Sequence, residues 1–337
     1  MGDPHLTYPE AIVVGLLQGV TELFPVSSLG HSVLIPALIG GRWAQDLNLT
    51  ADKSPYLTFL VAVHVATAIA LVVFFRRDWV RITVGLCTSI RDRKISNPDQ
   101  RLAWLLVVAT IPVGLAGLAL EHAVRSSLGK PLPASIFLIL NGAVLATVER
   151  LRRRATPRRT HGRPVRVRLA AGHAGRGQVY AASGYEAGGE RGVSAGHGDD
   201  EAAAIASDHR LAQQSWAQGL LIGAAQILAL LPGVSRSGAT MAAGLLRGLS
   251  HEDAARFAFL LATPVIAAAG LLKLPELAGP QGHGILGQVL AGSLVAGVAA
   301  YLSLRFLTRY FETRTLTPFA IYCLIAGTAS LAWTALA

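Results

Sequence analysis

Residues 15–30 read GLLQGVTELFPVSSLG, and residues 223–238 read GAAQILALLPGVSRSG. Each stretch starts as an apolar helix and is interrupted by proline and serine, at FPVSS in the first and LPGVSRSG in the second. Proline lacks the backbone donor that a helix needs, and its ring obstructs the preceding turn. The apolar regions around them, Glu10–Ile39 and Trp216–Leu246, therefore divide into halves rather short to cross a bilayer, which takes about 20 apolar residues in one helix. The economical reading is a pair of re-entrant helix–turn–helix hairpins with tips at membrane depth. Irregular backbone is tolerated there only when it is buried in protein or lines a wet cavity.

Six further segments read as spanning helices: Tyr56–Phe75, Leu102–Leu120, Pro133–Thr147, Ala254–Leu272, Ile285–Leu304 and Thr317–Leu336. Of 337 residues, 52% are hydrophobic and 15% charged, against about 25% charged in a soluble domain. The expected fold is an all-α polytopic membrane protein with six spanning helices and two re-entrant hairpins in an inverted-topology repeat. The net charge of +10 does not imply nucleic acid, because the basic residues cluster just outside apolar segments. Arg76, Arg77, Arg81, Arg91, Arg93 and Lys94 follow the first span, a run from Arg150 to Arg168 follows the third, and Arg305, Arg309 and Arg314 follow the fifth. If each hairpin re-emerges where it entered, all three clusters fall on one side, which is then cytoplasmic, with both termini outside. Cys87 and Cys323 form neither a disulfide framework nor a metal-binding pattern. The start, MGDPHLTYPE, lacks the basic region of a cleavable signal peptide.

Sliding the chain by 208 positions aligns Gly15, Gln18, Leu23, Val26, Ser27 and Gly30 with Gly223, Gln226, Leu231, Val234, Ser235 and Gly238. The chain thus divides into a first repeat, 1–151, a basic flexible loop, 152–210, and a second repeat, 211–337. Folds of this kind place their site where broken helices meet near the midplane.

The tips carry the chemistry. In the second, Gly233 permits close backbone approach, Ser235, Ser237 and Thr240 offer hydroxyls, and Arg236 offers a planar fork suited to phosphate oxygens. The helix that starts after the Pro-Gly turn adds amides that attract anions. In the first, Gln18 and Glu22 share a helical face; Glu22 suits a divalent metal or general base, and Gln18 a neutral oxygen ligand. Ser27 or Ser28 is a candidate nucleophile, and His31 a candidate base or acid. His64, inside a span, reads as packing or bonding a backbone carbonyl, and Asn141 as a helix bridge.

Together, QGVTELFPVSSLGH and LPGVSRSGATM, followed by FAFLLATPVI from Phe257, resemble the signature segments of bacterial undecaprenyl-diphosphate phosphatases of the bacitracin-resistance type. The resemblance covers nearly the whole chain apart from 152–210. It implies removal of the terminal phosphate of undecaprenyl diphosphate, which returns the lipid carrier to cell-wall synthesis and confers bacitracin resistance. It further implies a divalent cation, Mg²⁺ or Ca²⁺, held by Gln18 and Glu22, with Ser28 and His31 catalytic and Arg236 on the phosphate. It implies as well a pocket that opens to the outer side of the bacterial inner membrane, and a homodimer is left open. Ser28 would attack phosphorus with His31 or Glu22 accepting its proton; attack by His31 or by water is the variant. Leu29 stands where the family commonly has threonine. A transporter or polyprenyl-phosphate translocase is the rival reading, since inverted repeats are transporter features and fold alone does not specify function.

Overall fold

The computed structural model describes residues 6–48, 55–155, 197–277 and 284–336, and among them it is all helical. Six helices are long and apolar enough to cross a membrane. They are α4 (Pro55–Phe74), α6 (Pro98–Leu128), α7 (Pro131–Ala155), α11 (His251–Leu277), α12 (Leu286–Thr313) and α13 (Thr317–Leu336). Each expected span is present. Large apolar side chains such as Leu115, Leu118, Leu294 and Ile325 stand exposed on them, the arrangement of a bundle whose solvent is lipid.

The two interrupted regions form helix–turn–helix pairs. In the first, α1 (Tyr8–Thr21) is followed by α2 (Ser28–Ile39), after which comes a short α3 (Gly41–Asp46). In the second, α9 (Trp216–Ala224) tightens into a 3-10 turn, Ala225–Leu230, before α10 (Arg236–Leu246). Their local chemistry repeats at the 208-residue offset. Thr7 and Glu10 form a capping box on α1, and Ser215 and Gln218 form one on α9. Ser27 caps α2 through the Gly30 amide, and Ser235 caps α10 through the Gly238 amide, each at 3.1 Å. Such caps satisfy amides that a helix start otherwise leaves unpaired.

The pairs start at opposite ends of the bundle. The Gln288 side chain at the beginning of α12 donates to Leu6 O, just before α1. The beginning of α9 sits instead at the start of α6, where Arg101 lies over the Trp216 ring and donates to Ala212 O and Gln214 O. That second end also gathers the C-terminal ends of α4 and α7 with the N-terminal ends of α11 and α13. Glu149 on α7 binds His251 of α11 at 2.5 Å and the Leu316 amide before α13 at 2.8 Å.

Two helices at this end were not anticipated as such. The basic segment after α4 is α5 (Arg76–Asp92), which lays Asp78, Ile82, Gly85 and Ser89 against the bundle. The last part of the expected loop, 152–210, is helix: α8 (His197–Ala212) is packed against α6 and α11. Its Asp208 is buried and receives Arg256 at 2.7 and 3.0 Å and Arg81 at 2.6 Å, while Arg256 also reaches Asp78 at 2.9 Å. The segment looked loop-like because its docking depends on these long-range ion pairs rather than on an apolar stripe. Residues 156–196, including the rest of the arginine run, lie outside the described residues.

The tips themselves meet back to back. A Cβ on Gly30 would sit 2.9 Å from Gly233 Cα and 3.0 Å from its nitrogen. Gly233 has φ +109°, a conformation that costs other residues steric strain. Ala at Gly30 therefore has backbone, not a movable side chain, in its way.

Two stability outcomes are expected from thermal melts of the full chain in detergent. Gly30→Ala lowers the melting temperature, at a cost of about 1–3 kcal/mol for overpacking, whereas Gly114→Ala, which meets nothing within 4 Å, does not. Arg256→Ala strands the buried Asp208 carboxylate against a single remaining Arg81 partner and destabilises by about 3–5 kcal/mol. Melting of either destabilising variant at the wild-type temperature would contradict this packing.

Candidate active site

Glu22 is the centre of the junction. It follows the last turn of α1 with helical backbone angles, which keeps its side chain on the face of Gln18. Its two oxygens face donors from four helices, α1, α2, α4 and α10. Oε1 accepts from Arg236 Nη2 at 2.6 Å. Oε2 accepts from Gln18 Nε2 at 2.9 Å and from Ser28 Oγ at 2.5 Å. His64 Nε2 on α4 lies 3.5 Å from the same oxygen. The carboxylate is buried, and burial of a charge is costly unless it is paired and hydrogen-bonded. Here it is both. Arg236 also donates from Nη1 to Ala262 O on α11 at 3.0 Å, so its fork is aimed rather than free.

Four of the residues expected at the site thus converge: Gln18, Glu22, Ser28 and Arg236. The others are engaged differently. His31 holds Ser27 O through Nδ1 at 2.6 Å and Tyr322 Oη through Nε2 at 2.8 Å. Both ring nitrogens are thereby turned away from the Ser28–Glu22 pair. Ser27 Oγ accepts from the amides of Gly30 and of Gly233, the latter at 3.2 Å, and so pins one tip to the other. Ser235 and Ser237 both donate to Phe24 O, at 3.5 and 3.2 Å. Asn141 on α7 completes the joint, donating to Pro25 O and accepting from the Ser235 amide, each at 3.1 Å. Thr240 Oγ1 turns back onto Arg236 O at 2.8 Å.

Hydroxyls here were expected to face phosphate and Gly233 to permit its close approach; in this structure Ser27, Ser235 and Ser237 bond backbone across the two tips, Thr240 bonds the first turn of its own helix, and the Gly233 amide donates to Ser27. The physical reason is the general one for irregular chain buried inside a protein: backbone polar groups need internal partners first. Asn141 bridges, as expected of it. His64 bonds Leu60 O through Nδ1 at 2.7 Å, as expected, and in addition faces Glu22. Tyr322 and the Ala262 carbonyl were missed. The only sequence signal for His64 was an ionisable group inside a span, and nothing in the sequence paired α4 with the first tip.

Among the described residues no three His, Cys, Asp or Glu side chains gather as a metal cage. The site does hold an orphan acceptor, Gln18 Oε1, buried and without a hydrogen-bond partner. A neutral amide oxygen next to a single carboxylate fits a hard cation of the Mg²⁺ or Ca²⁺ kind, which takes oxygen ligands and shares its remaining positions with substrate phosphate. A thiolate- or imidazole-seeking metal would find no matching set here.

Comparison with known proteins agrees with this architecture along nearly the whole chain. The family model described as "Bacitracin resistance protein BacA" matches residues 11–185 and 194–329. An "Undecaprenyl-diphosphatase" of Mycolicibacterium paratuberculosis is 61% identical over 332 residues, covering 98% of this chain and 99% of the relative. "Undecaprenyl-diphosphatase 1" of Frankia casuarinae is 54% identical, covering 95% and 96%. "Undecaprenyl-diphosphatase 2" of Chromobacterium violaceum is 39% identical, covering 96% and 97%. With both helix breaks inside the matched residues, the chain belongs to the bacitracin resistance protein BacA family.

Proposed function

We propose that this membrane protein hydrolyses undecaprenyl diphosphate to undecaprenyl phosphate and inorganic phosphate, returning the lipid carrier to cell-wall synthesis and supporting the bacitracin resistance for which its family is named. The observation that carries this reading is the convergence of Ser28, Glu22 and Arg236 where two broken helices meet: a hydroxyl already hydrogen-bonded to a carboxylate, beside a guanidinium. A translocase needs neither a nucleophile nor a base.

The chemistry follows from those contacts. Arg236 spends its fork on Glu22 and a carbonyl, and a diphosphate competes for both partners with more charge and better geometry. Substrate binding draws Arg236 towards the phosphates and leaves Glu22 with less compensation, hence more basic. Ser28 Oγ attacks the terminal phosphorus while its proton passes to Glu22 Oε2. The bond from phosphorus to the bridging oxygen breaks, and its electron pair leaves with undecaprenyl phosphate, which takes the proton back from Glu22. Water, deprotonated by Glu22, then splits the phosphoserine, and the proton returns to Ser28 Oγ. Arg236 and the amides at the α10 start stabilise charge that develops on the transferring group. A divalent cation held by Gln18 Oε1 and Glu22 would neutralise phosphate oxygens when bound.

We read the two helix pairs as re-entrant hairpins of an inverted repeat, with the active site facing the outer side of the inner membrane. The end that carries Arg76, Arg81, Arg152 and Arg305 is then cytoplasmic. Supporting this, α1 and α9 start at opposite ends of the bundle.

Phosphate release by the purified chain from undecaprenyl diphosphate tests the reading. Ser28→Ala abolishes release while leaving the melting temperature near that of the wild type. Arg236→Lys keeps the charge but loses the fork, and costs about 10²–10³-fold in turnover, the worth of a preorganised oxyanion donor. EDTA stops turnover, and added Mg²⁺ or Ca²⁺ restores it. Full activity of Ser28→Ala excludes the covalent route, and undiminished turnover in EDTA excludes the cation.

A further inference from the structure

Ser27 is the one non-glycine residue of the tips with positive φ, at +71°. A residue with a Cβ is strained there and persists only when its surroundings over-determine it. The surroundings are specific. The Ser27 carbonyl, which belongs to the peptide plane joining Ser27 to Ser28, accepts the His31 amide at 3.3 Å and His31 Nδ1 at 2.6 Å. A carbonyl only accepts, so Nδ1 carries the ring proton and Nε2 of the neutral ring is an acceptor. Its donor is the Tyr322 hydroxyl at 2.8 Å, from the last helix of the chain. The two rings also stack, with centroids 5.7 Å apart and planes 11° from parallel. Tyr322 itself is 45% exposed, so the helix packing of α13 does not depend on its hydroxyl.

We propose that Tyr322 and His31 form a positioning relay, in which Tyr322 Oη–H holds His31 Nε2 and His31 Nδ1–H holds the Ser27 carbonyl, fixing the peptide plane that aims Ser28 Oγ at Glu22. This rests on Ser28 being the nucleophile. His31 acts through Ser28 and exchanges no proton with substrate, which assigns the histidine a different task from that of a general base. Tyr322, 291 residues away in sequence, becomes part of the machinery of the first tip.

The relay is tested by steady-state phosphate release from undecaprenyl diphosphate with the full chain in detergent. Tyr322→Phe keeps the stacked ring and removes one hydroxyl; kcat falls about fivefold, the worth of one net hydrogen bond, with KM unchanged. His31→Asn keeps a donor near the Nδ1 position without a titratable ring, and loses about tenfold or less, with the pH profile of kcat unaltered; loss of a general base would cost about 10²–10⁴-fold. Adding Tyr322→Phe to His31→Asn costs nothing more, because the acceptor of the hydroxyl is already gone. A folded His31→Asn chain that loses more than about 10²-fold overturns the relay in favour of the base. So does a Tyr322→Phe effect that is absent, or that adds in full to His31→Asn. If the wild-type chain turns over while these outcomes fail, the relay alone falls; if the wild-type chain releases no phosphate, the hydrolase reading falls with it.

Discussion

A carboxylate and a guanidinium, Glu22 and Arg236, meet at 2.6 Å across the junction of two broken helices that start at opposite ends of the bundle. Both side chains are largely buried, where either charge alone would be costly, and each is the other's compensation. The pair also sets the geometry of everything near it. Gln18, Ser28 and His64 are arranged around the same carboxylate, and the second nitrogen of Arg236 ties α11 to the joint through Ala262 O. A buried pair of this kind contributes little net stability against an apolar replacement, whereas removal of one partner is severe. On the proposed mechanism the two groups exchange partners, a phosphate replacing the carboxylate on the same guanidinium.

Around this pair the polar residues of the tips divide into two sets. Ser27, Ser235, Ser237, Gly233 and Asn141 join the tips to one another and to α7. Gln18, Ser28, Glu22 and Arg236 are held by that joint with reactive atoms pointing at one another. Adjacent serines therefore do unrelated work. The positive φ of Ser27 turns the chain so that its own hydroxyl faces the second tip while that of Ser28 faces Glu22.

The fold was largely legible because its signals are local. Six apolar runs, two proline breaks and the placement of arginines are visible residue by residue. The docking of α8 was not legible, because Asp208 reads as an ordinary surface acid until Arg256 and Arg81 are placed beside it. The site divided in the same way. Gln18 and Glu22 lie one helical turn apart and Ser28 lies just past the break, so their grouping could be read from spacing. His31 could not be assigned a task, since its partner Tyr322 is on the last helix, and His64 meets Glu22 only through the packing of α4. Type and position in sequence left His31 open as base, acid or attacking group; the direction of its ring nitrogens, which no spacing encodes, argues for a support.

The central claim is that Glu22 holds Arg236 until a diphosphate takes it over. Binding of a non-hydrolysable methylene-bridged analogue of undecaprenyl diphosphate, measured in EDTA with the wild-type chain and with Glu22→Gln, tests that exchange most directly. The account predicts that Glu22→Gln, in which the competing charge is gone, binds the analogue more tightly while losing turnover. Weaker binding by Glu22→Gln would contradict it, because the carboxylate would then be aiding the diphosphate rather than competing with it for Arg236.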